Sequence, residues 1–174
     1  MLIDVDELIV PRMANNLLDT IEHFQSISDD IGELNFRNSF FFRNWPDDSE
    51  TLDIYPPRVS VRKMMRQKNF NPHKERSKFI VKPITAVETS VHFVWEFLHG
   101  YYRLNIDPEF GFSHHYRVER KNITAKLWNK TIANTQSIID KTMFFRFKDE
   151  LLNGVSLQLN GSIKHCNVNL TKYD

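Results

Sequence analysis

Charge along this chain is sorted into blocks, and that sorting constrains the fold more than any motif does. Residues 1–57 carry twelve acidic groups against three basic ones, a net of −9. Residues 58–82 carry nine basic groups against Glu75 alone, a net of +8, and residues 83–174 come to +2. The formal total of +1 hides the pattern. An acidic first third beside a basic middle gives two faces that attract opposite things. The middle segment suits a polyanion. The acidic segment suits the basic face of another copy.

A chain of 174 residues is long enough to bury a real core, and we expect one domain over 1–174 with an exposed basic arm at about 62–78. Aromatics are heavy at 13%, with fourteen Phe, while Gly is scarce at five. That balance favours long regular elements. The abundance of Asn, Ile, Phe and Lys is a composition common in phages and other viruses. The one cysteine, Cys166, permits no internal disulfide and fits a reducing compartment. The acidic start, Met1 to Glu7, does not read as a secretory signal. No apolar run reaches the ~18 residues of a membrane span. We therefore expect a cytoplasmic or virion protein.

Helical spacing of Met13, Leu17, Leu18, Ile21 and Phe24 predicts a helix from Pro11 to about Gln25. Ser26–Gly32 is a polar break. Phe36–Trp45, Leu52–Tyr55 and the alternation at Val59 and Val61 predict strands, with a turn at Trp45–Ser49. Residues 63–77 lack periodicity and read as a long basic loop, before a strand at Phe79–Val81. Thr85 and Glu88 form a capping box, Gly100 supplies a stop, and Val87, Val91, Val94, Trp95 and Leu98 form a stripe, so 85–100 predicts a mostly buried helix. Tyr101–Leu104 and Tyr116–Val118 read as strands around the loop starting at Asp107, and Ile123–Trp128 as a third. Residues 135–152 fit helix or strand equally. Alternation about Asn160-Gly161 predicts a C-terminal hairpin, Val155–Leu159 with Cys166–Leu170. The class is α+β, with two helices packed on a mainly antiparallel sheet.

Four constellations bear on chemistry. Glu88, His92, Glu96 and His99 share one face of the expected helix, a spacing open to a divalent metal but more simply a solvated stripe. Asp107 with Glu119 and Lys121 has the outline of a metal-dependent nuclease core, lacking a second acidic residue on the preceding strand. His114, His115, His165 and Cys166 have no spacing that fixes a site. The fourth is the basic segment itself: Arg58, Arg62, Lys63, Arg66, Lys68, Lys74, Arg76 and Lys78. Opposite it stands an acidic face of Asp19, Glu22, Asp29, Asp30 and Glu33, continued by Asp4, Asp6 and Glu7.

No phosphate loop, nucleophile elbow or paired-cysteine motif is present, so no cofactor or bound metal is expected. The reading these features favour is a non-enzymatic assembly protein, joining copies of itself and other assembly proteins head to tail into a ring or larger complex. A virus or phage particle is the setting the composition suggests. The predicted element order is similar to that of ring-forming phage tail proteins, without a shared motif. The alternative is a nucleic-acid-binding protein or metal-dependent nuclease acting through 58–82. No membrane partner is expected.

Overall fold

The computed structural model describes residues 3–52, 59–118 and 125–153. The chain divides into two compact units, Met1–Asp140 and Lys141–Asp174. The described part of the second is helical from 142 to 153. The first unit is α+β, built from small sheets in which most strand pairs are antiparallel.

Two three-stranded sheets carry the first unit. In one, β1 (Glu7–Pro11) and β3 (Asn38–Phe42) flank β9 (Gly111–Arg117), with β1 antiparallel and β3 parallel to it. In the other, β5 (Lys78–Val81) and β8 (Tyr102–Ile106) flank β2 (Ile31–Phe36). There β5 runs antiparallel and β8 parallel. Helix α1 (Leu17–Ile27) closes a core of Ile9, Phe24, Ile31, Leu34, Phe36 and Ile106. A second cluster joins Phe40, Phe42 and Trp45 to Ile132, and a third joins Phe41, Phe112 and Tyr116. Runs of β-branched and aromatic residues suit these pleated, doubly covered strands.

Helix α1 begins later than its spacing predicts. Pro11 closes β1 opposite Gly111, a strand-end position where its missing N–H breaks no inner ladder. The cap is Asn16, whose side chain accepts from the Asp19 N–H at 2.9 Å. That bond satisfies a first-turn donor, and the Asp19 carboxylate complements the helix dipole. The expected strand Phe36–Trp45 is instead two, β2 and β3, with Ile31 and Gly32 drawn from the polar break.

The expected helix at 85–100 is a hairpin, β6 (Ala86–Thr89) and β7 (Val94–Phe97). Thr85 caps nothing; its hydroxyl donates to the Lys82 carbonyl in a short 3-10 turn, Pro83–Thr85. Ser90 makes the tip, its N–H bonding the Phe93 carbonyl and its Oγ accepting from the His92 and Phe93 N–H groups. Tertiary bonds then hold β7: Val94 donates to Glu33, and the Arg103 guanidinium donates to the Val94 carbonyl. Apolar residues at helical spacing were the misleading signal. Val87 is 56% and Trp95 64% exposed, and of that stripe only Val94 is buried. The glycine signal held locally, with Gly100 at φ +93° between β7 and β8.

Other segments also depart from the periodic reading. Val59–Arg62 is a short helix (α2), not a strand. The stretch expected as a strand from Ile123 lies partly in a helix, α3 (Ala125–Asn134), and otherwise outside the described residues. The ambiguous 135–152 resolves into β10 (Ser137–Ile139) followed by helix α4 over 142–153. The expected strand Leu52–Tyr55 leaves only Leu52 among the described residues, in a turn, and the C-terminal hairpin lies wholly outside them.

The basic segment folds back onto the chain. Within it β4 (Met65–Gln67) pairs with β10. Lys63 pairs with Asp47 at 2.7 Å, Arg66 with Asp140 at 2.9 Å, and Lys78 with Glu7 at 2.7 Å. Arg66 and Lys78 are buried, while Lys68 and Lys74 are exposed and Arg62, Lys63 and Arg76 partly so. Arg58 lies outside the described residues. On the acidic side Glu22, Asp29 and Asp30 are exposed and Asp19 is partly covered, but Glu33 is buried beneath the hairpin. The fold thus pairs part of the basic segment with early acids, through Lys63–Asp47 and Lys78–Glu7, and leaves Lys68, Lys74, Glu22, Asp29 and Asp30 at the surface.

Candidate active site

Among the described residues, five ionisable groups are linked where the chain turns into β1. The Glu7 N–H bonds the Asp4 carbonyl at 3.0 Å, closing a tight turn over Asp4-Val5-Asp6-Glu7. Apolar Ile9 and Val10 then commit the chain to a buried strand. The turn divides its three carboxylates: Glu7 points inward with a side chain 3% exposed, while Asp4 and Asp6 stay open at 68% and 44%.

Two distant segments complete the cluster. The β1–β9 ladder sets Glu7 opposite His115. His115 Nδ1 lies 2.9 Å from Glu7 Oε1 and Nε2 lies 3.5 Å from Asp6 Oδ2. The Nδ1 contact is close but lacks hydrogen-bond alignment. From β5, the buried Lys78 ammonium reaches Glu7 Oε2 at 2.7 Å and Asp4 Oδ2 at 3.3 Å. Asp4, Lys78, Glu7, His115 and Asp6 thus form one chain of alternating acid and base. Burial alone raises the Glu7 pKa, but contact with His115 and Lys78 outweighs it and lowers the carboxyl to about 2. Glu7 therefore holds its neighbours as a fixed anion, leaving Asp4, Asp6 and the outer edge of His115 toward solvent.

His114, next along β9, plays an opposite part. It is fully buried between the rings of Phe41 and Phe112, with centroids 4.5 and 4.4 Å away. Burial lowers its pKa to about 3, so it stays neutral. Its Nδ1 lies 3.3 Å from the Tyr116 hydroxyl, which in turn donates to the Ser60 carbonyl. Burial raises the Tyr116 pKa. These groups stiffen the floor beneath the cluster.

Two further polar centres are internally satisfied. Glu33 accepts from Arg103, Asn35 and the Val94 N–H, and Asn35 also reaches His73 and the His92 carbonyl. Asp140 accepts from both Arg12 and Arg66 at 2.9 Å. Both tie strands together.

The constellations singled out by spacing come apart. Glu88 and Glu96 oppose each other across the hairpin. His92 sits at its tip against the Ser77 carbonyl, and His99 lies on an exposed turn. Asp107 caps a turn by accepting from the Glu109 N–H at 2.8 Å, while Glu119, Lys121, His165 and Cys166 lie outside the described residues. Of the described histidines only His115 reaches the cluster, where Lys78 of the basic segment meets Asp4, Asp6 and Glu7 of the acidic one. Among the described residues no group of three or more His, Cys, Asp or Glu is placed to hold a metal by itself.

A sequence model of glycosyltransferase family 92 matches residues 1–152, from before the acidic turn to the end of the described helices. The chain belongs to glycosyltransferase family 92. No curated protein matches it significantly. A family 92 glycosyltransferase is an enzyme, which overturns the expected non-enzymatic assembly subunit, its virion and phage-tail setting, and the nucleic-acid alternative. No described helix of this family 92 chain is long and apolar enough to cross a membrane. The signal for the site was present as Asp4-x-Asp6-Glu7 leading an apolar strand: two outward carboxylates two residues apart, read in the sequence only as surface charge.

Proposed function

We propose that the chain transfers a glycosyl residue from a donor activated by a phosphate leaving group, and that the Asp4–Asp6 turn anchors that leaving group. The observation carrying this reading is the pairing of two open carboxylates with a clamped His115 in a chain that the family match places among glycosyltransferases. Glycosyl transfer separates charge: the sugar's anomeric carbon becomes electron-poor as negative charge gathers on the departing phosphate. A site for this reaction must hold that phosphate and exclude stray water.

Two carboxylates are poor partners for a phosphate unless a cation lies between. The donor set fits such a cation. Asp4 and Asp6 offer hard oxygen ligands, and His115 turns Nε2 toward Asp6 at 3.5 Å. Two protein carboxylates match a divalent ion that takes its remaining ligands from substrate phosphates and water. When bound, the cation supplies charge neutralisation for the leaving group. The protein's own part is positional. Glu7 fixes His115 and Lys78, and Lys78 restrains Asp4 at 3.3 Å. Preset geometry of this kind removes reorganisation from the barrier.

The test is a panel of sugar nucleotides with a divalent cation, scored for release of the nucleoside diphosphate. Wild type should turn over at least one donor, and Asp6→Asn should lose about a hundredfold or more. Turnover by Asp6→Asn at the wild-type rate would refute this site.

A further inference from the structure

We infer that the cleft at the far end of β1 from the acidic turn seats a neutral sugar unit of the acceptor glycan, held by the Arg66 guanidinium and the Glu109 carboxylate. This rests on the proposed function and names where the receiving sugar chain is recognised. The cleft holds about 450 Å³ and is lined by Arg12, Met13, Arg66, Phe70, Pro108 and Glu109, a volume within the range of ligand sites. A second cleft of about 290 Å³ shares Met13 with it and adds His23, Phe24 and Phe110. The surface therefore has room for more than one ring.

The β1–β9 ladder sets its distance from the acidic turn. β1 starts at Glu7, opposite His115, and ends at Pro11, opposite Gly111. Its five residues, at about 3.4 Å each, put roughly 17 Å between the two ends. A group in this cleft is out of reach of the bond being made, so it recognises a remote part of the acceptor. The turn at Asp107 builds the wall. Its carboxylate accepts the Glu109 N–H at 2.8 Å, and the Arg12 N–H bonds the Phe110 carbonyl at 2.8 Å.

Arg66 is the fixed donor. Its side chain is 8% exposed and its guanidinium lies 4.6 Å from the Phe70 ring centre. Nε donates to Asp140 at 2.9 Å, and Nη1 donates to the Gln67 and Lys68 carbonyls at 2.9 and 3.2 Å. Nη2 has no hydrogen-bond partner among the described residues. A buried polar group left open on a cleft calls for an acceptor from outside. Glu109 is exposed, and its carboxylate makes no ion pair or hydrogen bond among the described residues. A sugar hydroxyl both donates and accepts, so a wall with one fixed donor and one open acceptor suits a polyol. The same carboxylate repels a phosphate or another carboxylate, which argues against an anion. Phe70, Pro108 and the 70% exposed Met13 offer apolar surface to the C–H face of a ring.

The test is ligand-observed NMR titration of the full chain with chitotetraose, cellotetraose, maltotetraose and inorganic phosphate. Wild type should bind at least one tetrasaccharide. Glu109→Ala should weaken that sugar about tenfold and, because Glu109 is exposed, should unfold at the wild-type temperature. Arg66→Lys keeps a charge beside Asp140 but loses Nη2, and should weaken the sugar as well. Asp6→Asn should bind it as wild type does, because Asp6 lies at the other end of β1. Wild-type affinity in Glu109→Ala, or an equal loss in Asp6→Asn, overturns the seat and leaves the proposed function to its own donor assay. Phosphate bound in place of every sugar overturns it too, by marking an anion site. No tetrasaccharide bound by wild type overturns the seat even where a sugar nucleotide is turned over.

Discussion

Replacing Glu7 by Gln tests whether the acidic turn is a built site or a charged surface. Glu7 is 3% exposed and faces the Lys78 ammonium at 2.7 Å and His115 at 2.9 Å. Its pKa of about 2, against an ordinary 4.5, corresponds to about 3 kcal/mol of folded-state stability at neutral pH. Removing one member of a buried pair, which strands the other charge, costs about 3–5 kcal/mol. Both routes give the same order of magnitude. The folded value lies below the unfolded one, so this stability is complete above about pH 4.5 and is lost as pH falls toward 2. Urea denaturation of wild type and Glu7→Gln at a series of pH values should show a gap of about 3 kcal/mol at pH 7 that closes below pH 4.5. The double variant Glu7→Gln with Lys78→Met should recover much of the loss, because it leaves no stranded ammonium. A gap under about 1 kcal/mol at pH 7, the worth of an exposed pair, would refute the clamp.

His114 has a lowered pKa of about 3 against 6.5, so its contribution is present above about pH 6.5 and lost as pH falls toward 3. His114→Phe should flatten the pH dependence of stability across that window, as followed by thermal melts at stepped pH. Trp95→Ala should change stability by under about 0.5 kcal/mol, since Trp95 is 64% exposed on a hairpin; a loss of about 3–5 kcal/mol in chemical denaturation would instead mean a buried helix. Gly32→Ala should cost about 1–3 kcal/mol, because its added Cβ would meet Thr85 Oγ1 at 2.7 Å and the Phe97 ring at 3.0 Å.

The α+β class was legible from strand patterning, and so were β3, β5 and β8, whereas β1 and nearly all of β2 were not and β9 only at its last residues. The hairpin at Ala86–Phe97 was not. Its Val and Trp residues fit a helical period, and what decides against it is Glu33 and Arg103, which grip Val94 from elsewhere in the chain. The charge blocks were real, but their partners could not be read from position. Lys78 meets Glu7, 71 residues earlier, and Arg66 meets Asp140, 74 residues later, only because of sheet topology. Likewise His115 drew notice without a spacing to place it, since a ladder joining residues 7 and 115 leaves no local trace. Asp4 and Asp6 were counted as surface charge for the same reason: their chemistry lies in what the fold brings beside them.

The most direct test of the central claim is Mn²⁺ binding followed by electron paramagnetic resonance with pyrophosphate present. The account expects one bound ion in wild type, weakened about tenfold or more in both Asp4→Asn and Asp6→Asn. Equal occupancy in wild type and both variants would contradict it.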